Sequence, residues 1–173
     1  MDPVYSVVVP MVFTMLGGLP LIGGRTLIDH RALRGRAWHM AVSFAGPAMN
    51  LVVAGVIALA FQFGLVDPFT AIGAGLAFLA VLQIAGALFN LIPFPPLDGF
   101  NFFAPYLPDE ALRFCHSLGR GGYFLLIGVF WFVPGAGEWF WAQVWELAYQ
   151  LDLPLWSALW GGEEARLLDR GWW

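Results

Sequence analysis

Apolar residues along the chain gather into four long stretches joined by short polar connections. Each is measured against the roughly 20 residues that a helix needs to cross ~30 Å of hydrocarbon. Val4 to Ile22 is long enough, but Pro10, Gly17, Gly18 and Pro20 argue against a straight helix, so it either spans or dips and returns. Met40 to Phe63 is interrupted only by Gly46, Pro47, Asn50 and Gln62 and predicts a span. Phe69 to Ile92 predicts another. Its many small residues, among them Ala74, Ala77, Ala80, Gly86 and Ala87, let helices approach closely in lipid and place it centrally in a bundle. Gly121 to Tyr149 is apolar and aromatic but broken at Pro134, Gly135 and Gly137, which fits a kinked span or two half-length helices in a hairpin. The Gly-led segment Gly23 to Ile28 tolerates extended structure at the membrane face. The pattern as a whole predicts an all-α polytopic membrane protein with about four membrane segments.

Composition strengthens that expectation. Apolar residues make up 60% of the 173 and charged residues 12%, against about a quarter charged in ordinary soluble domains. So few charges cannot cover a water-exposed surface, and the lipid bilayer is the expected surrounding. The length suits one integral membrane domain over 1–160, followed by a polar and aromatic tail over 161–173. Asp2 stands where a signal peptide would carry positive charge, so residues from Met1 onward are read as mature structure. The basic residues are all arginine and form no cluster interleaved with polar residues, which argues against nucleic acid as a partner. The single Cys115 excludes an intramolecular disulfide and a cysteine-based metal cluster.

The arginines orient the chain. Arg25, Arg31, Arg34 and Arg36 lie between the first two stretches, Arg113 and Arg120 between the last two, and only Asp67 between the second and third. The positive-inside rule puts the arginine-bearing loops in the cytoplasm and the Asp67 turn outside, so Asp98 stands at the cytoplasmic end of the third stretch. The tryptophans from Trp139 to Trp173, mixed with acids and arginines, read as an interfacial aromatic belt.

Two polar motifs interrupt the apolar pattern. The first is Ala45, Gly46, Pro47, Ala48, Met49, Asn50, which alone reads as a proline kink with Asn50 bonding a neighbouring helix. The second runs from Asn90 through Pro93, Pro95 and Pro96 to Leu97, Asp98 and Gly99. Proline lacks the amide proton and disfavours helix in the residue before it, so this segment ends its helix and takes an extended path. Freed backbone at that depth belongs where it is buried in protein or lines a watery cavity. Gly99 would permit a tight turn behind Asp98. An ionisable residue there is a ligand for a metal or cation, or else a solvated carboxylate just past a helix end.

Taken together, Ala-Gly-Pro-x-x-Asn followed by Asn-x-x-Pro-x-x-Pro-Leu-Asp-Gly resembles the site-2 protease family of intramembrane zinc metalloproteases, and is closest to the compact bacterial type without a PDZ domain. The resemblance runs from Asp2 to about Tyr149. It implies zinc as cofactor and transmembrane segments of other proteins as substrates, cleaved near the cytoplasmic face of a bacterial inner membrane. It implies Asp98 as the third zinc ligand, and Asn90, Asn50, Pro93 and Gly99 as candidates for holding substrate. Gly17 to Asp29 would match the family's membrane-embedded β-hairpin.

One departure is large. The family's His-Glu-x-x-His, which supplies two zinc ligands and a general-base glutamate, is absent from these 173 residues. The histidines are His30, His39 and His116, and none has a helical partner. The chain resembles the back portion of a family member, and by itself is expected to be inactive. A catalytically inactive homologue that binds transmembrane segments or acts as a membrane scaffold is the alternative. A small transporter lined by Asn50, Asn90 and Asp98 ranks last, because neither an inverted repeat nor a second intramembrane charge stands out.

Overall fold

The computed structural model describes residues 35–95, 97–118 and 121–159. The chain divides into two compact units, Met1–Arg34 and Gly35–Trp173, and the described residues belong to the second. The stretch Val4 to Ile22, the hairpin expected over 17–29, His30 and the tail 161–173 lie outside the described residues.

The described residues form helices α1 (Arg36–Gln62), α2 (Ala71–Asn90), α3 (Asp98–Phe103), α4 (Asp109–Leu118), α5 (Gly121–Phe132) and α6 (Ala136–Gln150). A 3-10 turn at Ala104–Tyr106 follows α3, a helical turn covers 155–159, and there is no strand among the described residues. At 1.5 Å per residue α1 is about 40 Å long and α2 about 30 Å. These two are long and apolar enough to cross a membrane. The face of α1 bearing Pro47, Ala54, Ile57 and Ala58 is buried, while Phe44, Met49, Val52, Val56 and Leu59 are exposed. A continuous apolar face of that size calls for lipid or protein rather than water.

Small side chains bring α2 close to its neighbours. Its buried Ala77, Ala80, Val81, Ile84 and Ala85 pack with Ala54, Ile57 and Ala58 of α1 and with Phe140, Val144 and Ala148 of α6 in one core. The central position expected for this stretch follows, since α2 packs against both α1 and α6. At its start Thr70 caps the helix, its Oγ1 accepting from the Gly73 amide at 3.0 Å. The Thr70 hydroxyl also donates to the Asp67 carbonyl at 2.8 Å, and the Phe69 amide donates to Asp67 Oδ1 at 2.9 Å. A Cβ on Gly73 would collide with the Asp67 carbonyl, so only glycine lets the turn close on the helix.

Of the two arrangements open for Gly121 to Tyr149, the structure has two half-length helices. Pro134 cannot donate a helical bond, and Gly135 takes a left-handed φ of 83°. The chain folds back there. Phe130 and Phe140 stack edge to face at 5.4 Å, whereas ten residues of continuous helix would separate them by about 15 Å. Both rings also meet Phe89 near the end of α2. From that point α6 runs back along α2 to the other end of the bundle, where Gln62 Nε2 donates to the Leu151 carbonyl at 3.1 Å and Phe69 lies 4.6 Å from Trp156. With 12 and 15 residues, α5 and α6 are each shorter than a full span.

Candidate functional site

The second end of α2 is built differently from the first. The Leu91 amide still reaches the Ala87 carbonyl at 3.0 Å, and the helix then unwinds into tight turns in which Phe94 N donates to Ile92 O and Leu97 N to Phe94 O, both at 2.8 Å. Leu97 is extended, with ψ 162°, and hands the chain to α3, whose first residue is Asp98. A carboxylate in a first helical turn is favourably placed against the exposed amides there.

Gly99 is needed here for close approach rather than for a turn. It sits within α3, outside the left-handed region, and is buried. A Cβ on it would collide with the Leu91 carbonyl and lie 2.6 Å from the Ile92 carbonyl oxygen. The turn conformation expected of Gly99 is thus replaced by a packing requirement: α3 is pressed onto the end of α2, and this holds Asp98 in place.

Asp98 points at α1. Its Oδ2 lies 3.4 Å from the position that a Cβ on Gly46 would take. Asn50, one turn further along α1, is half-buried, and its Nδ2 lies 3.2 Å from the position of a Cβ on Gly86 in α2. The helices α1 and α2 are joined by a short turn and run antiparallel. The structure therefore brings Asp98 and Asn50 to neighbouring turns of α1, against Gly46 and Gly86, while Asn90 is half-buried at the end of α2. Pro93 belongs elsewhere. With Pro95, Phe100, Phe103, Leu107 and Cys115 it lines an apolar cavity of about 340 Å³. Phe100 and Phe103 leave α3 on faces well away from that of Asp98.

Asp98 is half-buried, and no hydrogen bond or ion pair to it forms among the described residues. Burial raises its carboxyl above the ordinary value of 3.8. A half-buried carboxylate with its oxygens uncommitted is chemically suited to be one metal ligand. Catalytic zinc takes three protein ligands and an open position. Among the described residues no group of three His, Cys, Asp or Glu converges, so those present do not by themselves fit zinc. His39 lies near the start of α1, and His116 is on α4.

The residues that the sequence reading passed over are the two glycines under the polar groups. Their signal is a shared spacing, Gly46-x-x-x-Asn50 on α1 and Gly86-x-x-x-Asn90 on α2, which puts each glycine one turn from an asparagine on the same helical face.

No family model and no solved structure matches the chain. It is similar to proteins named "Putative zinc metalloprotease Rip2". The similarity to that of Mycobacterium tuberculosis (strain H37Rv) is 36% identity over 148 residues, covering 84% of this chain and 55% of the relative. To that of Mycolicibacterium smegmatis it is 34% over 143 residues, covering 82% and 54%. The chain spans about half the length of the curated relatives it matches.

Proposed function

We propose that this chain contributes the aspartate corner of an intramembrane zinc endopeptidase of the site-2 protease family, compact and without a PDZ domain, which cleaves transmembrane segments of other proteins near the cytoplasmic face. The observation that carries it is Asp98: half-buried at the end of a proline-terminated helix, pressed into position by Gly99, and uncommitted among the described residues. The similarity to proteins named as zinc metalloproteases supports the same reading. Asp98 serves as the third ligand, and two histidines and a general-base glutamate come from a segment outside these 173 residues. Asn50, on the turn of α1 next to Gly46, and Asn90, at the end of α2, are the amides suited to hold the backbone of an unwound substrate, since each offers both a donor and an acceptor.

Cleavage of a transmembrane peptide in detergent tests this. The 173-residue chain should be inactive, an extended chain carrying a helix with His-Glu-x-x-His ahead of residue 1 should cleave, and Asp98→Asn should abolish that cleavage. The absence of His-Glu-x-x-His from this sequence favours a second reading, a non-catalytic homologue that binds transmembrane segments. An extended chain that binds the peptide without cutting it would decide for that alternative.

A further inference from the structure

The Gly-x-x-x-Asn spacing occurs on both spanning helices, and Asn50 lies against Gly86 of the other helix. A symmetric pair would rest Asn50 on Gly86 and Asn90 on Gly46. Only the first half of that arrangement forms. Asn50 Nδ2 lies 3.2 Å from the vacant Cβ position of Gly86, but among the described residues the atom found within 4 Å of the vacant position on Gly46 is Asp98 Oδ2, at 3.4 Å. The seat left by the second glycine is taken by the carboxylate from α3.

Apart from Gly73, which packs on the Asp67 turn, the other glycines within these helices make no such approach among the described residues. Among the described residues, Gly55 on α1 and Gly75 on α2 have nothing within 4 Å of their vacant Cβ positions. Close approach to a polar side chain is therefore particular to Gly46 and Gly86 among the described residues, whereas Gly73 meets backbone. The distances differ in consequence. At 3.4 Å a methyl on residue 46 is in ordinary contact, so alanine fits, whereas the branched methyls of valine would reach into the space over Oδ2. At 3.2 Å a methyl on residue 86 already forces Asn50 to shift by a few tenths of an ångström.

We propose that Gly46 and Gly86 are the positioning residues of these two polar groups: Gly46 leaves the Asp98 carboxylate seated and reachable, and Gly86 seats the Asn50 amide. The purpose assigned to this arrangement rests on the proposed endopeptidase function, but the arrangement is testable without metal or substrate. In a Cys115→Ser background, the thiol introduced by Asp98→Cys is labelled with N-ethylmaleimide in the detergent-solubilised 173-residue chain, and thermal melting is followed by circular dichroism. Adding Gly46→Val should slow labelling several-fold, adding Gly46→Ala should slow it less, and adding Gly55→Val, on the same helix, should leave it unchanged. If Gly46→Val labels at the parent rate with an unchanged melt, or if Gly55→Val slows labelling equally, Gly46 does not control access to residue 98. Should the valine variant fail to fold, the alanine variant decides: it must fold and label more slowly than the parent, and an equal rate overturns the assignment. Because the assay contains no zinc and no peptide, the endopeptidase reading can fail without altering its outcome.

Discussion

The two ends of α2 carry one aspartate each and use them in opposite ways. At the first end Asp67 is spent on structure: its Oδ1 accepts from the Phe69 amide, its carbonyl accepts from the Thr70 hydroxyl, and Thr70 in turn caps the helix. At the second end Asp98 has neither a hydrogen bond nor an ion pair among the described residues, although it is half-buried. Both ends press a glycine onto a loop carbonyl, Gly73 onto Asp67 and Gly99 onto Leu91, so both are tightly built. Among the described residues the first end commits its carboxylate to its own turn and the second does not.

The largest effect that can break this contrast is one of sidedness. If the arginine bias orients the chain, a thiol introduced by Asp67→Cys in a Cys115→Ser background is labelled from outside intact cells, and one introduced by Arg113→Cys is not. The reverse pattern would put Asp98 at the outer face. Next come the two pressed glycines. Gly73→Ala and Gly99→Ala should each cost about 1–3 kcal/mol or more, because the new methyl meets backbone that cannot yield. Gly75→Ala, in open space, should stay within about 0.5 kcal/mol. Denaturation midpoints in mixed micelles measure all three, and equal costs would erase the distinction.

Smaller effects sharpen the comparison between the aspartates. Thr70→Ala removes the cap of α2 and should cost about 1 kcal/mol, and Asp67→Ala a similar amount through the lost bond to the Phe69 amide. Asp98→Asn should cost nothing at neutral pH in the metal-free chain. The sign follows from burial. With its carboxyl raised above 3.8, folded Asp98 holds its proton more tightly than the unfolded chain does. Its contribution to stability is thus fully present below 3.8 and is lost as pH rises through the raised value. Melts of the parent chain against Asp98→Asn across that window should show the difference flatten out at higher pH. A clear destabilisation by Asp98→Asn at pH 7 would mean that Asp98 has a structural partner after all.

Much of this was legible in the apolar pattern. Met40 to Phe63 and Phe69 to Ile92 became α1 and α2 because uninterrupted apolar runs near 20 residues have few alternatives to helix. The end of α2 was legible because three prolines between residues 93 and 96 leave no other outcome. The fold-back at Pro134 and Gly135 stayed open, since the same residues serve a kink or a hairpin and only the Phe130–Phe140–Phe89 packing chooses. Gly99 was taken for a turn residue, but what decides its role is the carbonyl of Leu91, eight positions earlier. The seats at Gly46 and Gly86 depend on the register between two helices, which no single stretch of sequence carries. Pro93 was named through the family resemblance as a candidate for holding substrate, and the apolar cavity that it lines with Phe100 and Phe103 depends on how α3 folds back, which the sequence does not carry.

The central claim is that Asp98 is held free so that it can take a metal, and bound metal is its most direct measure. An extended chain bearing His-Glu-x-x-His ahead of residue 1 is purified in detergent, and its zinc is counted by elemental analysis beside that of Asp98→Asn, Asp67→Asn and the 173-residue chain alone. The extended parent and Asp67→Asn should each carry one zinc per chain, while Asp98→Asn and the 173-residue chain should carry little, because a neutral amide is a poor ligand and one carboxylate alone does not make a site. Full zinc occupancy in Asp98→Asn would contradict the claim and leave the free carboxylate at the end of α2 without the role assigned to it.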